Sequence, residues 1–260
     1  GGALSIDDLK TFKPQWVKPI SMDFAKGFLN KNKAYFVPPP AAAGVLQAQI
    51  LGMLNRGRNF ANASAKTQYH LLAETSLIAY VERARWMQDD FKSSLPDKEL
   101  VSNRILDRLL GQIDDRKHRQ LTSFKPIPKP MPENPSATSF VVIDSFGMAI
   151  SCAFTMNNNF GIGRIATKTG IMLAATPQGI GRGSISLGPM MILNPYSSQF
   201  VLASSASGGV TAATALTSVV ARTYLMGESL ELSVAAPRVH HSGSPDITYY
   251  EPNLQKDVIS

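Results

Sequence analysis

The stretch SATSFVVIDSFGMAISCAFTMNNNFGIG, Ser136–Gly163, decides the fold of this 260-residue chain. Residues 139–144 form a β-rich run, Asp144-Ser145-Phe146-Gly147 fits a type I turn, and residues 148–156 form a second β-rich run. We therefore predict a β-hairpin here. A period of two along its second strand separates an apolar face from a face of small and polar side chains.

The two faces of the second predicted strand favour different roles. One face is apolar and is predicted to be core: Met148, Ile150, Cys152, Phe154 and Met156. The other face carries small or polar side chains and ends in Thr155 and Asn157. Small side chains leave room for a substrate, but they also allow a second sheet or a helix to pack closely. The residues alone leave both interpretations open.

A proline-rich segment leads directly into the hairpin. It contains five prolines between Leu121 and Pro135 and must run extended, because proline neither continues a helix nor fills a central strand. An exposed linker that enters a core strand is the layout of an N-terminal-nucleophile hydrolase. Cleavage in such a linker makes a Thr, Ser or Cys the first residue of a strand, and the new α-amine acts as the base for that side chain.

Motifs along nearly the whole chain resemble those of the γ-glutamyltransferase (γ-glutamyltranspeptidase) family. In order they are GGALSIDDL, PPPAAAG, ATSFVVIDSFGMAISCAFTMNNNFG, SASGGVTAATAL and APRVHH. The resemblance implies an α+β fold, a four-layered αββα sandwich, self-cleavage before a threonine, and acyl transfer through that threonine. Residues 1–136 would correspond to the end of the large subunit and residues 137–260 to the small subunit, together forming one domain.

The nucleophile position departs from the family pattern. Alignment on VVID places Ala137 where the family has its threonine, and Thr138 follows one residue later. A methyl group cannot attack a carbonyl, whereas Thr138 would face the other side of the strand unless a bulge turned it. We therefore expect a lost or blocked nucleophile. The alternative is an active acyltransferase or amidase that uses Thr138.

The resemblance also assigns roles to other residues. Thr155 would hydrogen-bond the nucleophile, and Asn157 and Ser186 would contact the substrate. Gly208 and Gly209 would form the oxyanion hole, and their position before a predicted helix fits this, because helix N-terminal amides can donate to a developing oxyanion. No cofactor and no metal are expected.

The substrate-binding pattern is incomplete. The acidic segment with which the family binds the α-amino group of a γ-glutamyl substrate is replaced by AATPQ at residues 174–178, and Ile185 replaces the first serine of a family Ser-Ser pair. An ammonium group would lose its hydration there without gaining a partner, which costs free energy. If the chain is active, we expect a small γ-glutamyl-like or other acyl or amide substrate.

Charge and composition restrict the possible partners. The net charge of +7 lies in residues 1–136, which carry 20 Lys+Arg against 13 Asp+Glu. The densest basic cluster, Arg116–Arg119, has no interleaved aromatic residues, so no nucleic-acid partner is expected. The single cysteine excludes an internal disulfide, and no apolar run approaches the ~18 residues of a membrane span. By resemblance we expect a periplasmic or secreted protein that needs the missing upstream large-subunit segment or another chain.

Periodicity and capping residues predict the remaining elements. Helices are predicted at residues 5–12, 41–55, 64–87, 97–113, 210–226 and 229–235. Strands are predicted near residues 17–23, 33–37, 169–175, 190–193 and 199–205. His70 and Glu74 lie one helical turn apart, and without a third ligand we expect a solvated pair. Of His240 and His241, we expect at most one near the site.

Overall fold

The computed structural model describes residues 4–26, 31–57, 60–125, 136–177, 183–255 and 258. The five prolines of the predicted linker, within residues 126–135, and Gln178 of the AATPQ segment lie outside the described residues.

The described residues contain seven α-helices and eight strands. The helices are α1 (Ile6–Thr11), α2 (Ala42–Arg56), α3 (Ala65–Trp86), α4 (Asp97–Leu100), α5 (Asn103–Leu110), α6 (Thr211–Leu225) and α7 (Leu230–Ala235). The strands are β1 (Ile20–Lys26), β2 (Lys31–Phe36), β3 (Ala137–Ile143), β4 (Ala149–Thr155), β5 (Met190–Leu193), β6 (Phe200–Ser204), β7 (Val239–His240) and β8 (Tyr249–Tyr250). None of the helices within these residues is long and apolar enough to cross a membrane.

Two predicted elements differ from the structure. The helix predicted over residues 97–113 is two helices, because Ser102 accepts from the amide of Ile105 and caps a new helix, α5. The strand predicted at residues 169–175 is wrong and is replaced by one isolated bridge, Ile165 to Met172. The intervening chain turns instead, with the Thr169 hydroxyl bonded to Ala166 O.

A helical layer packed on a four-stranded antiparallel sheet forms the core. The strand order is β1-β2-β5-β6, so strands from both sides of the predicted linker pair in one sheet. Helix α2 is buried from Ala42 to Leu54 between this sheet and helices α3 and α6. Gly44 permits this approach, since a Cβ there would lie 2.1 Å from Val37 O.

The hairpin is confirmed as a separate two-stranded ribbon. Strands β3 and β4 pair in antiparallel register and pack on β6, where Ser151 Oγ donates to Ser204 O at 2.6 Å. The face with small side chains therefore lies toward the larger sheet. The prediction that the apolar face is core is wrong, because Met148, Ile150 and Phe154 are exposed within the described structure.

Candidate active site at the start of the hairpin

Strand register brings the nucleophile position and the predicted hydroxyl partner together. Ala137 lies directly opposite Thr155, whereas Thr138 lies opposite Phe154. Opposite residues share a face of the ribbon, so the exposed Thr138 side chain and Thr155 point to opposite faces. Thr155 Oγ1 lies 3.5 Å from Ser136 O, the carbonyl of the peptide bond that precedes Ala137. The Thr155 hydroxyl thus lies beside that bond.

Asn157 connects the end of the hairpin to two neighbouring segments. Its backbone amide donates to Thr155 Oγ1 at 2.9 Å, and its side-chain nitrogen donates to Ala175 O at 2.8 Å. Its side-chain oxygen accepts from the Gly183 amide at 2.9 Å. The residue has a φ of 62°, which Asn tolerates better than most residues. Asn157 therefore fixes the loop around Thr155 through its own amide group.

The two predicted oxyanion-hole glycines form the turn from β6 into α6. Gly208 and Gly209 have φ values of 144° and 63°, which side chains rarely adopt. Thr211 Oγ1 donates to Gly208 O at 2.8 Å, and the Tyr80 hydroxyl donates to Val210 O. The N-cap of α6 has no side-chain hydrogen bond, so the first amides of the helix are not capped by a side chain.

Ser186 lies beside this turn. It ends the 3₁₀ turn Ser184–Ser186, which the side chain of Gln47 anchors by donating to Gly188 O at 2.8 Å. Ser186 and Gly209 line one small cavity together with Tyr80 and the buried residue Arg83. Among the described residues, the hydrogen bonds of the Thr155 and Asn157 side chains run to Ser136, Ala175 and Gly183, and none of these is to Ser186 or Gly209.

His240 contacts α6, the helix that follows the glycine turn. Its Nδ1 is 2.9 Å from Thr214 Oγ1, and its ring meets the Tyr80 ring edge-on, with centroids 5.6 Å apart. Burial, together with the nearby charges of His241 and Arg83, lowers the pKa of His240 to about 4. The neutral imidazole therefore packs on Tyr80, whose hydroxyl bonds the start of α6, and the expectation that at most one of the adjacent histidines lies near the site stays a prediction.

The prediction of a solvated His70–Glu74 pair is wrong. Glu74 is 1% exposed, and its Oε1 bonds His118 Nδ1 at 2.6 Å. His118 Nε2 bonds Asp246 Oδ1 at 3.1 Å. Burial lowers the pKa of His118, but the two carboxylates outweigh it and hold that pKa above its ordinary value. The missed residues are far apart in sequence, so spacing gave no signal for this cluster.

This cluster also contains the ligand types of a metal site. The ligand atoms of His118, His241 and Asp246 lie within 4.8 Å of one another. However, His241 Nδ1 accepts from the Gly243 amide at 3.0 Å, so the proton of the neutral ring is on Nε2, which lies 3.2 Å from Asp246 Oδ1. A metal needs the lone pair of Nε2. The present hydrogen bonds therefore fit a proton-holding network better than metal ligation.

Comparisons with known proteins agree with the resemblance in the motifs. The glutathione hydrolase proenzyme of Escherichia coli (strain K12) is 26% identical over 286 residues, covering 100% of this chain and 48% of that protein. The glutathione hydrolase proenzyme of Pseudomonas aeruginosa is 27% identical over 277 residues, covering 96% of this chain and 48% of that protein. The chain thus spans about half the length of the curated relatives it matches.

A solved structure and a family model extend this comparison. The crystal structure of cephalosporin acylase from Bacillus halodurans matches with a TM-score of 0.72 at 20% identity, covering 98% of this chain and 46% of that chain. This likeness shows that the two share a fold, here α+β with layered helices and sheets. The gamma-glutamyltranspeptidase family model matches residues 1–260. The chain therefore belongs to the γ-glutamyltranspeptidase family.

Proposed function

We propose that this protein is a γ-glutamyltransferase-like member of the family that does not process itself, because alanine occupies the nucleophile position. The observation that carries this proposal is the register of the hairpin. Ala137, not Thr138, lies opposite Thr155, whose hydroxyl is 3.5 Å from the carbonyl before Ala137. The Thr155 hydroxyl, which would support a nucleophile, therefore lies beside the methyl group of Ala137. Self-cleavage needs an oxygen or sulfur nucleophile at this position.

We further propose that any substrate of this protein binds without the contacts that the family makes to the α-amino group of a γ-glutamyl substrate. The loop segment that follows residue 173 offers the Ala175 carbonyl to Asn157, and no side-chain charge occurs in Ala174–Gln178. A charge-assisted contact contributes about 1.5–3 kcal/mol, or roughly ten- to over a hundredfold in affinity. A small acyl or amide compound without the amine fits these residues better.

The first experiment is intact mass spectrometry of the purified chain. We expect one uncut chain. Two fragments with the second beginning at Thr138 would contradict the proposal and make Thr138 the nucleophile of an active acyltransferase or amidase. A Thr138→Ala variant provides the control, because it abolishes that cleavage only if Thr138 performs it.

Restoring the nucleophile provides the second experiment. We expect Ala137→Thr to self-cleave before residue 137, because Thr155 and the glycine turn remain in place. Adding Thr155→Ala to that variant should slow the cleavage. We expect little hydrolysis of a chromogenic γ-glutamyl anilide by the cleaved variant. Rapid turnover of the anilide would contradict the proposed loss of amine recognition.

The same proposal includes a partner and a location. The exposed apolar face of the ribbon, Phe140, Val142, Ile150 and Phe154, needs a cover, and the upstream large-subunit segment or another chain would provide it. We propose a periplasmic or secreted location because of the family relationship. Co-expression with the upstream half of a family member should protect the ribbon amides from hydrogen exchange. Unchanged exchange would contradict the proposed partner.

A further inference from the structure

A cleft of about 490 Å³ is lined by the first turns of α3 and by the β7–β8 pair. This volume is within the range of small-molecule sites, about 300–1,000 Å³. None of the described residues that line the cleft belongs to the candidate active site. The cleft is therefore a separate feature of the molecule.

The buried part of the lining is largely apolar. Val239 and Tyr250 lie directly opposite each other in the β7–β8 pair, so they share one face of it. The other face carries His240 and Tyr249, whose rings stack with centroids 6.3 Å apart. Val239 is buried, whereas Tyr250 is 51% exposed, so the Tyr250 ring is available to cover a bound molecule. The other buried side chains of the lining are Tyr69, Ala73 and Leu254.

The charged part of the lining carries an excess of positive charge. Lys66 and Arg116 are cations, and Asp115 is the one carboxylate among the described residues that line the cleft. The hydrogen bond of Arg116 within the described residues comes from its backbone amide, so its guanidinium group has no described partner. Lys66 lies in the first turn of α3, where there is no acidic side chain and where the helix dipole adds positive potential. The cleft therefore favours an anion over a cation.

Hydrogen bonds fix the loop that carries Arg116. His70 Nε2 lies 2.8 Å from Asp114 O and donates to it, because a carbonyl can only accept. Asp114 Oδ1 accepts from the backbone amides of Arg116 and Lys117 at 2.9 and 3.1 Å. The loop is thus held against α3 before a ligand binds, which lowers the conformational entropy that binding costs.

We propose that this cleft binds a monocarboxylate with an aromatic or branched apolar body. The apolar body lies on Val239 and Leu254, and the carboxylate lies toward Lys66 and Arg116. Burial of the body supplies most of the affinity, because removing apolar surface from water is favourable. The two cations are exposed, so each contributes only about two- to fivefold. This proposal goes beyond the proposed function, since self-cleavage involves none of these residues.

Three probes of similar shape test the preference for an anion: naphthylacetate, the uncharged naphthylacetamide and the cationic naphthylethylamine. Isothermal titration calorimetry at low ionic strength measures their binding to the unmodified chain. We expect saturable binding of one naphthylacetate per chain, about fivefold weaker binding of the amide, and still weaker binding of the amine. Equal affinity for the acid and the amide, or tightest binding of the amine, overturns the proposal.

A pair of double variants tests the two cations. Lys66→Gln with Arg116→Gln should lower the affinity for naphthylacetate to that for the amide and leave the affinity for the amide unchanged. Lys13→Gln with Lys18→Gln is the control, because it removes the same charge from exposed positions outside the cleft. We expect it to change neither affinity. Equal effects of the two double variants would show a dependence on net charge alone and overturn the site.

Filling the cleft tests where the apolar body binds. Ala73→Leu should weaken binding of both the acid and the amide by about tenfold or more, because its larger side chain occupies the cleft. Ile150→Ala, on the exposed face of the β3–β4 ribbon, should leave both affinities unchanged. Tyr250→Ser alters an exposed side chain, so it tests the same point if Ala73→Leu does not fold, with an expected loss of about threefold. Unchanged binding in whichever of these two cleft variants folds, or loss of binding in Ile150→Ala, overturns the site.

Discussion

Helix α3 and the ribbon β3–β4 both carry several large apolar side chains, yet only the helix buries them. On α3, Leu77, Ile78 and Tyr80 are at most 1% exposed. On the ribbon, Val142 is 53% and Ile150 is 59% exposed. The helix lies against α2, α5 and β7, whereas the outward face of the ribbon meets no described helix or sheet. Apolar side chains in the sequence therefore do not by themselves establish burial, and the neighbouring elements decide whether those side chains are buried.

The first way to test this contrast is a matched pair of truncations. We expect Leu77→Ala to lower the free energy of unfolding by about 2–5 kcal/mol, because it removes contacts and leaves a cavity. Ile150→Ala should cost less than about 1 kcal/mol, since its side chain is largely exposed. Urea unfolding of both variants measures the difference. Equal losses would show that the ribbon face is covered in solution.

Acidification tests the packing of His240, which lies on β7 against helices α3 and α6. The pKa of His240 is lowered to about 4, so between pH 6.5 and pH 4 the unfolded chain binds a proton that the folded chain does not. The stability that the neutral His240 contributes is therefore lost as pH falls through this window, by roughly 3 kcal/mol at pH 4. Burial lowers the pKa of His241 too and adds to the same trend.

His118 acts in the opposite direction. Its pKa is raised in the folded state, so its contribution is present below about pH 6.5 and is lost as pH rises through the raised pKa. Denaturant unfolding from pH 4 to pH 8 separates the two effects. His240→Gln should reduce the pH dependence of the free energy of unfolding below pH 6.5, and His118→Gln should reduce it above pH 6.5. An acid side that is unchanged in His240→Gln would contradict the assignment to His240.

The sequence predicted local structure well and long-range burial poorly. Strand β5 was predicted at its observed bounds, and α1, which begins with a Ser5–Asp8 capping box, lies within the predicted residues 5–12. These features depend on neighbouring residues. Burial of Glu74 depends on His118, which lies 44 residues further along the chain. His118 in turn bonds Asp246, which lies another 128 residues along. No local pattern contains that information.

The candidate site shows the same limit. The roles of Thr155 and Gly209 were assigned by motif and stay predictions, whereas the burial of Arg83 on α3 was missed. Arginine is rarely fully buried, so the residue type gave no signal of this burial. Residues of α2 and α6 surround Arg83 only in the folded chain.

The loop that follows the ribbon gives a smaller expected effect. Asn157→Asp keeps an oxygen for the Gly183 amide but loses the donor to Ala175 O. We expect a loss of about 1–3 kcal/mol, because the carbonyl loses its donor and faces a negative charge. Asn158→Asp, at the exposed neighbouring position, is the control and should change stability little. Equal effects would contradict the bridging role of Asn157. Chemical unfolding at pH 7 measures both.

The smallest expected effect concerns the outward face of the ribbon itself. Val142→Thr keeps a β-branched side chain of similar shape and adds a hydroxyl that water can reach, so we expect stability within about 0.5 kcal/mol of the natural chain. Val45→Thr makes the same change at a fully buried position of α2 and should cost about 1–3 kcal/mol.

The two valine variants also differ in their expected effect on self-association. An exposed apolar sheet face promotes association between chains, so Val142→Thr should lower the apparent mass in concentrated solution, whereas Val45→Thr should leave it unchanged. Sedimentation velocity at several concentrations measures this. If Val142→Thr instead destabilises the chain as much as Val45→Thr, another part of the protein or a second chain covers the outward face of the ribbon. The ribbon face would then be buried in solution, as the face of the helix is.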